Sequence, residues 1–251
     1  MATEYTGTGD PVRSMALLWR GPEGATGRAG LSVDRIVATA TAIADAEGIG
    51  ALSMRKVADK LGVGAMSLYT YVPGKAELVD LMLDQVLAET DRTVVDGGWR
   101  PRLEHVAREN LALARRHPWV LQVATSRPVL GPNLIAKYDF ELSALDGIGL
   151  ADTEIDTLLS AVLAYVNGAG HAVVDAQEAA AHTGQTDDQW WDAQAPLLEK
   201  VFDAARFPVA ARVGQAAGEA YGAGDPAYAF EFGLQRLLDG IEAFVSARAN
   251  R

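Results

Sequence analysis

The chain has 251 residues, 49% of them apolar and 22% charged, enough to bury a sizeable core unaided. It has no cysteine, which excludes disulfides, thiolate metal sites and cysteine nucleophiles and fits a reducing compartment. The formal charge of −11 is unevenly spread: residues 81 to 251 hold 14 Lys and Arg against 24 Asp and Glu, whereas residues 51 to 75 hold Arg55, Lys56, Lys60 and Lys75 against Asp59 alone. A small basic patch on an acidic body would face a polyanion and discourage binding through the other faces, although charge alone also describes any acidic soluble protein.

The first ten residues carry no basic stretch followed by an apolar one, and no run of 18 apolar residues occurs. The sequence therefore predicts a soluble, cytoplasmic protein with no membrane partner. Residues 1 to 30 mix Gly, Thr, Pro and Arg around a short apolar anchor, Met15 to Trp19, and read as a flexible arm. Arg13, Arg20 and Arg28 make that arm either a minor-groove contact or an ordinary disordered leader.

From Asp34 an apolar stripe at helical spacing, Ile36, Val37, Ala40, Ile43 and Ala44, runs to Gly48, which stands where a C-terminal cap is wanted. Ser53 can cap a second helix, with Val57, Ala58 and Leu61 inward and Arg55, Lys56 and Lys60 outward, ended by Gly62. Gly62-Val63-Gly64 then makes a three-residue turn before Ala65 to Tyr71, and Val72-Pro73-Gly74 is a stop. These are helix-turn-helix proportions.

Beyond Lys75, helical periods continue through Leu78 to Val86, Leu103 to Ala114 and Leu134 to Leu145, with breakers at Gly97-Gly98, His117-Pro118 and Gly131-Pro132. A long helix is expected from Asp152 to about His182, then a stretch around Leu197 to Ala205, then a last helix after Pro226. No sustained alternation of period two and no repeat is visible, so the predicted fold class is all-α.

The stretch from Leu52 to Leu78 resembles the DNA-binding signature of the tetracycline-repressor (TetR) family: Ser53, Arg55, Val57, Ala58, Leu61-Gly62-Val63, Leu68-Tyr69, Tyr71, Val72, Lys75 and Leu78 fill its characteristic places. The likeness is strong over about residues 31 to 90, and the remainder is similar only in helix layout. After the arm over 1–30, it implies a helix-turn-helix domain over 31–95 and an effector-binding and dimerisation domain over 96–251. It also implies a sequence-specific regulator, a repressor released from palindromic operator DNA by a small-molecule effector.

A short helix opening at Gly64 puts Ala65, Met66, Ser67 and Thr70 on the side free to enter a major groove, with Leu68 turned inward. Tyr69, Tyr71 and Lys75 follow at its end, placed to donate to phosphates, and by resemblance Arg55 reaches a base or phosphate. The segment Ala65 to Thr70 carries no Arg, Asn or Gln, so bidentate base contacts are missing and discrimination falls to thymine methyl contacts, Arg55 and DNA shape. For Met66 and Tyr69 the alternative is plain packing.

In the family the C-terminal part dimerises through two helices from each chain. Here that implies a homodimer through the long helix near 153–182 and the last helix near 226–248, where Phe230, Leu234, Leu237, Ile241 and Phe244 form one stripe. The alternative for the stripe is core within one chain. On the long helix Asn167, His171, Asp175, Glu178 and His182 share a face. Resemblance makes Asn167, His171 and Asp175 effector contacts, with Trp119, Tyr138, Tyr165 and Trp190 as candidate cavity walls.

Two other readings compete. One is an enzyme built on the His171 stripe, but no G-x-S-x-G, phosphate loop, dinucleotide fingerprint or H-E-x-x-H is present. The other is an architectural DNA binder without an effector, for which the C-terminal part is needlessly large. No catalytic residue, metal or cofactor is expected.

Overall fold

A computed structural model describes residues 4–21 and 31–249, the side chains of residues 180–182 and 249 excepted. Arg28 lies outside the described residues, as does the side chain of His182. The described chain is helical, in the order β1 (Glu4–Tyr5), α1 (Pro11–Leu18), α2 (Val33–Glu47), α3 (Met54–Leu61), α4 (Ala65–Tyr69), α5 (Lys75–Leu87), α6 (Trp99–Arg116), β2 (Val123–Ala124), α7 (Pro132–Ser143), α8 (Asp152–Thr183), α9 (Asp187–Leu198), α10 (Pro208–Tyr221) and α11 (Pro226–Ala249). Single 3-10 turns at Ile49–Ala51 and Pro118–Gln122 follow α2 and α6.

The helix boundaries follow local chemistry. Gly48 adopts φ 79° behind α2, and Ser53 Oγ accepts the Lys56 amide to start α3. Gly62 sits in the left-handed region at φ 72°, and the Val63 amide donates back to the Ala58 carbonyl, closing α3 with Val63 packed on the core. The stretch expected as a helix around Leu197 to Ala205 is not one. α9 ends at Leu198, Asp203 closes a turn by accepting the Arg206 amide, and Phe207, non-helical at φ −125° and ψ 59° ahead of Pro208, opens α10 instead.

Over residues 4–21 the first segment is docked and not the flexible arm its composition suggests. β1 pairs in parallel with β2, Trp19 Nε1 donates to the Leu130 carbonyl at 2.8 Å, and Leu18 is buried in the core. The reason is a row of buried carboxylates on α5, Glu77, Asp80 and Asp84, each of which needs partners. Asp80 Oδ1 accepts the Gly7 amide at 3.1 Å, Glu77 Oε1 accepts the Asp10 amide at 3.0 Å, and Asp84 caps α7 by accepting the Leu134 amide at 2.9 Å. Close packing at Asp84 leaves no room for a side chain at position 131, where a Cβ would lie 2.2 Å from Asp84 Oδ1.

Burial raises the Asp80 carboxyl above its ordinary 3.8, with Glu77 pushing the same way against the hydrogen bond from the Gly7 amide. A raised folded-state value means that stability is lost as pH rises from 3.8 through that value. Asp80→Asn, which keeps an acceptor for Gly7, should remove this loss. Its stability advantage over the parent should grow with pH across that window in denaturant titrations, and a pH-independent difference would contradict the assignment.

Two cores result. The first surrounds α2 to α5 and draws in Leu113, Trp119, Val123 and Val129, so burial does not divide at residue 95. The second lies between α6, α8 and α11. Phe230, Leu234, Leu238 and Ile241 are buried there against Leu159, Val162 and Val166. Most of the stripe expected to meet a partner is therefore core within one chain, because the apolar face of α8 needs that cover. Of the stripe, Phe244 stays exposed and Leu237 half-buried.

Among the described residues one helix, over Asp152–Ala179, is long and apolar enough to cross a membrane by length and composition. Its buried face is spent on α6 and α11, and its open face carries Asn167, His171 and Asp175.

Candidate nucleic-acid interface and ligand cavity

α4 is held from behind by one side chain. Leu68 is fully buried in the first core, while Ala65 and Tyr71 pack half-buried against that core. Everything else on the helix points out: Met66 is 79% exposed and Tyr69 45%, with Ser67 and Thr70 exposed beside them. Met66 and Tyr69 are therefore not the packing residues that their size would suggest. Exposing a large apolar side chain on a helix with nothing over it is costly to solubility and suits a surface that is covered on binding.

Arg55 on α3 stands beside this face with its side chain 89% exposed, its nearest carboxylate being Asp59 at 3.9 Å. An exposed pair at that distance is weak, so the guanidinium is free to reach a stronger acceptor. Lys56 instead pairs with Glu47 and Lys75 with Glu4, the latter at 2.6 Å. Of the predicted contacts, Arg55, Met66, Ser67, Tyr69 and Thr70 are exposed, Ala65 and Tyr71 are half-buried, and Lys75 is engaged by Glu4.

A cavity of about 790 Å³ opens between α8 and the segment after α6. Leu121, Val123, Ala124, Leu163 and Ala164 form apolar walls, and Gln122, Thr125, Asn167, His171 and Asp175 contribute polar groups. A few polar groups in an apolar frame are what an oriented small molecule requires. Among the described residues no Lys or Arg lines it, and Asp175 does, so this lining favours neutral or cationic ligands over anions. Among the described residues no three His, Asp or Glu are arranged to hold a metal.

Asn167, His171 and Asp175 line this cavity as expected from their shared helix face. The four aromatic candidates do not. Trp119 is buried in the first core with Nε1 donating to Asp45 at 2.7 Å, and Tyr165 stacks on Phe230 and donates to its carbonyl at 2.7 Å. Tyr138 donates to Asp156 at 2.6 Å beside a different, smaller cavity, and Trp190 stands exposed next to Trp191 on α9. The wall from Leu121 to Thr125 escaped the sequence reading. Its only signal is His117-Pro118, which breaks α6 and turns the chain across α8.

The cavity wall and the first core are joined at a polar cluster. His117, the residue that caps α6, lies with Nδ1 2.7 Å from Asp45 Oδ1 on α2 and Nε2 3.0 Å from Glu89 Oε2. Asp45 thereby holds both His117 and Trp119, and the turn that contains Trp119 ends at Gln122 in the cavity.

Comparison with known proteins agrees with this layout. Residues 36–82 match the family described as bacterial regulatory proteins, tetR family, and residues 94–245 match the tetracyclin repressor-like C-terminal domain. The chain is 46% identical to the HTH-type transcriptional repressor DrrR1 of Streptomyces coeruleorubidus over 98% of its own length and 91% of that protein's. Apo ActR from Streptomyces coelicolor superposes with a TM-score of 0.71 at 28% identity, covering 88% of this chain and 99% of ActR. ActR in complex with actinorhodin superposes with 0.68 at 28% identity, over 86% and 97%. BioQ with its natural double-stranded DNA operator gives 0.51 at 25% identity, over 59% of this chain and 90% of that one. With both halves matched and a repressor aligned along nearly its whole length, this chain belongs to the TetR family of transcriptional regulators.

Proposed function

We propose that this protein is a cytoplasmic repressor that grips a palindromic operator as a homodimer and leaves it when a small molecule enters the cavity at Asn167 and His171. The observation that carries the reading is the open face of Met66, Ser67, Thr70 and Arg55 on a helix-turn-helix held by the buried Leu68, with a ligand-sized cavity whose wall is tied to the same domain through Asp45. BioQ with its operator and ActR with actinorhodin supply the two partner classes by analogy. The reading domain is assigned to 31–95 and the sensing and dimerising domain to 96–251, and no residue is given a catalytic role.

Support for the dimer comes from what the second domain leaves uncovered. α9 and α10 bury no residue, and Trp190, Leu197, Phe202 and Val213 on and between them are exposed, as are Tyr228 and Phe232 on α11. Apolar surface on that scale calls for a partner. The outer faces of α8 and α11 then form the seam between two copies, which places two recognition helices about 34 Å apart in successive major grooves. A ligand that prefers another spacing releases the operator, and the coupling is reciprocal: bound operator weakens the ligand by the same factor.

The test is selection of genomic fragments with purified protein, then titration of the best fragment against salt. A palindrome bound with a steep negative salt slope is expected, and Arg55→Ala should cost about 1–3 kcal/mol, roughly 5- to 150-fold. Absence of any enriched sequence would sink the reading.

A further inference from the structure

Lys75, the cation expected to meet a phosphate, is occupied: its Nζ lies 2.6 Å from Glu4 Oε1, with both side chains about two-thirds covered, at 31% and 29% exposure. Glu4 is held there by the docked N-terminal segment. It registers with Val123 in the β1–β2 pair, the Thr6 amide and hydroxyl both donate to the Ala124 carbonyl at 3.2 Å, and the Gly7 and Asp10 amides bind Asp80 and Glu77 on the same helix that begins with Lys75. The fit is tight, since a Cβ at Gly9 would lie 2.4 Å from Glu77 Oε1. The other partner of this strand, Val123-Ala124, is cavity wall.

We propose that Glu4 is a positioning residue for Lys75, and that the segment from Glu4 to Asp10 is a strap through which the cavity wall governs whether Lys75 can reach a DNA phosphate. The proposal rests on the repressor reading above. A phosphate drawn to Nζ brings its charge beside the Glu4 carboxylate, and two anions around one ammonium repel. Operator binding therefore requires Glu4 to yield, which strains or releases a strand pair of only two residues per side. Conversely, whatever braces Val123-Ala124 from the cavity side keeps Glu4 on Lys75 and weakens the grip on DNA.

The test uses the full chain and the fragment recovered by genomic selection, with parent, Glu4→Gln, Lys75→Met and the double variant. Glu4→Gln is expected to tighten binding about threefold to tenfold at low salt, and to change nothing when Lys75 is already Met. Equal affinity of Glu4→Gln and parent overturns the proposal. So does the same tightening on the Lys75→Met background, which would reflect only the loss of one negative charge near DNA. A second arm exploits the cysteine-free chain by joining the registered positions with Tyr5→Cys and Ala124→Cys. The oxidised form should bind about fivefold or more weakly than the same protein reduced. Equal binding in the two forms, or failure to crosslink at all, overturns the strap. If the parent binds no fragment, the repressor reading has failed, and the strap with it; if the parent binds and these differences are absent, the strap alone has failed.

Discussion

A Leu68→Ala variant should bind operator about 100-fold more weakly than the parent, or worse, while keeping the helices of its C-terminal half. α4 has only five residues and no side-chain cap on its N-terminus, so its geometry cannot come from helix propensity. Leu68 is its single buried residue and anchors it to the core beneath α3. Removing a fully buried Leu costs about 2–5 kcal/mol, and the loss falls on the element that presents Met66, Ser67 and Thr70. Chemical denaturation should report the stability loss, and operator titration should report the larger functional loss. Met66→Ala offers the contrast: it is exposed, so it should leave stability within about 0.5 kcal/mol and act only through DNA. Unchanged operator affinity in Leu68→Ala would mean that α4 does not carry recognition.

Asp45→Ala is expected to destabilise the protein by about 2–5 kcal/mol, far more than its exposed position on α2 suggests. Its carboxylate is the shared acceptor for Trp119 Nε1 and His117 Nδ1, both 2.7 Å away, and those two residues are buried. Deleting it leaves the indole N–H and one face of the imidazole without a partner in the interior, at about 1–3 kcal/mol each. Asp45→Asn retains one acceptor and should cost markedly less. Because Trp119 and His117 set the turn that reaches the cavity at Gln122, the Ala variant should also loosen the wall there, read as faster amide exchange over Leu121 to Thr125. A loss below 1 kcal/mol would show that water replaces Asp45 and that the cluster does not join the two domains.

Short-range chemistry was enough to read much of this from the chain. Ser53, Gly62 and the spacing of Val57, Ala58 and Leu61 specify α3 and its turn, because caps and a 3.6-residue period act within a few residues. The same period put Asn167, His171 and Asp175 on one face of α8 before any packing was known, and all three line the cavity. The family's signature is dense in this segment for the same reason: a small helix-turn-helix needs nearly every buried position to be filled correctly.

Long-range pairing decided the rest. Whether Phe230, Leu234 and Ile241 faced a partner or α8 depended on which surface of α8 remained uncovered, and periodicity cannot distinguish two apolar destinations. Trp119, Tyr138, Tyr165 and Trp190 went to four different places because an aromatic ring announces burial or stacking but not its neighbour. Composition made residues 1–30 a loose arm. It could not show that Asp80 and Glu77, some 70 positions downstream, lacked hydrogen-bond donors that Gly7 and Asp10 would supply. The sequence by itself determined the reading head and the polar face of the sensor helix, through interactions spanning a turn or two. Only the tertiary structure decided which faces of α8 and α11 were free, where the cavity wall ran and that the strand Glu4–Tyr5 is paired to it, since each depends on contacts between residues far apart in the chain.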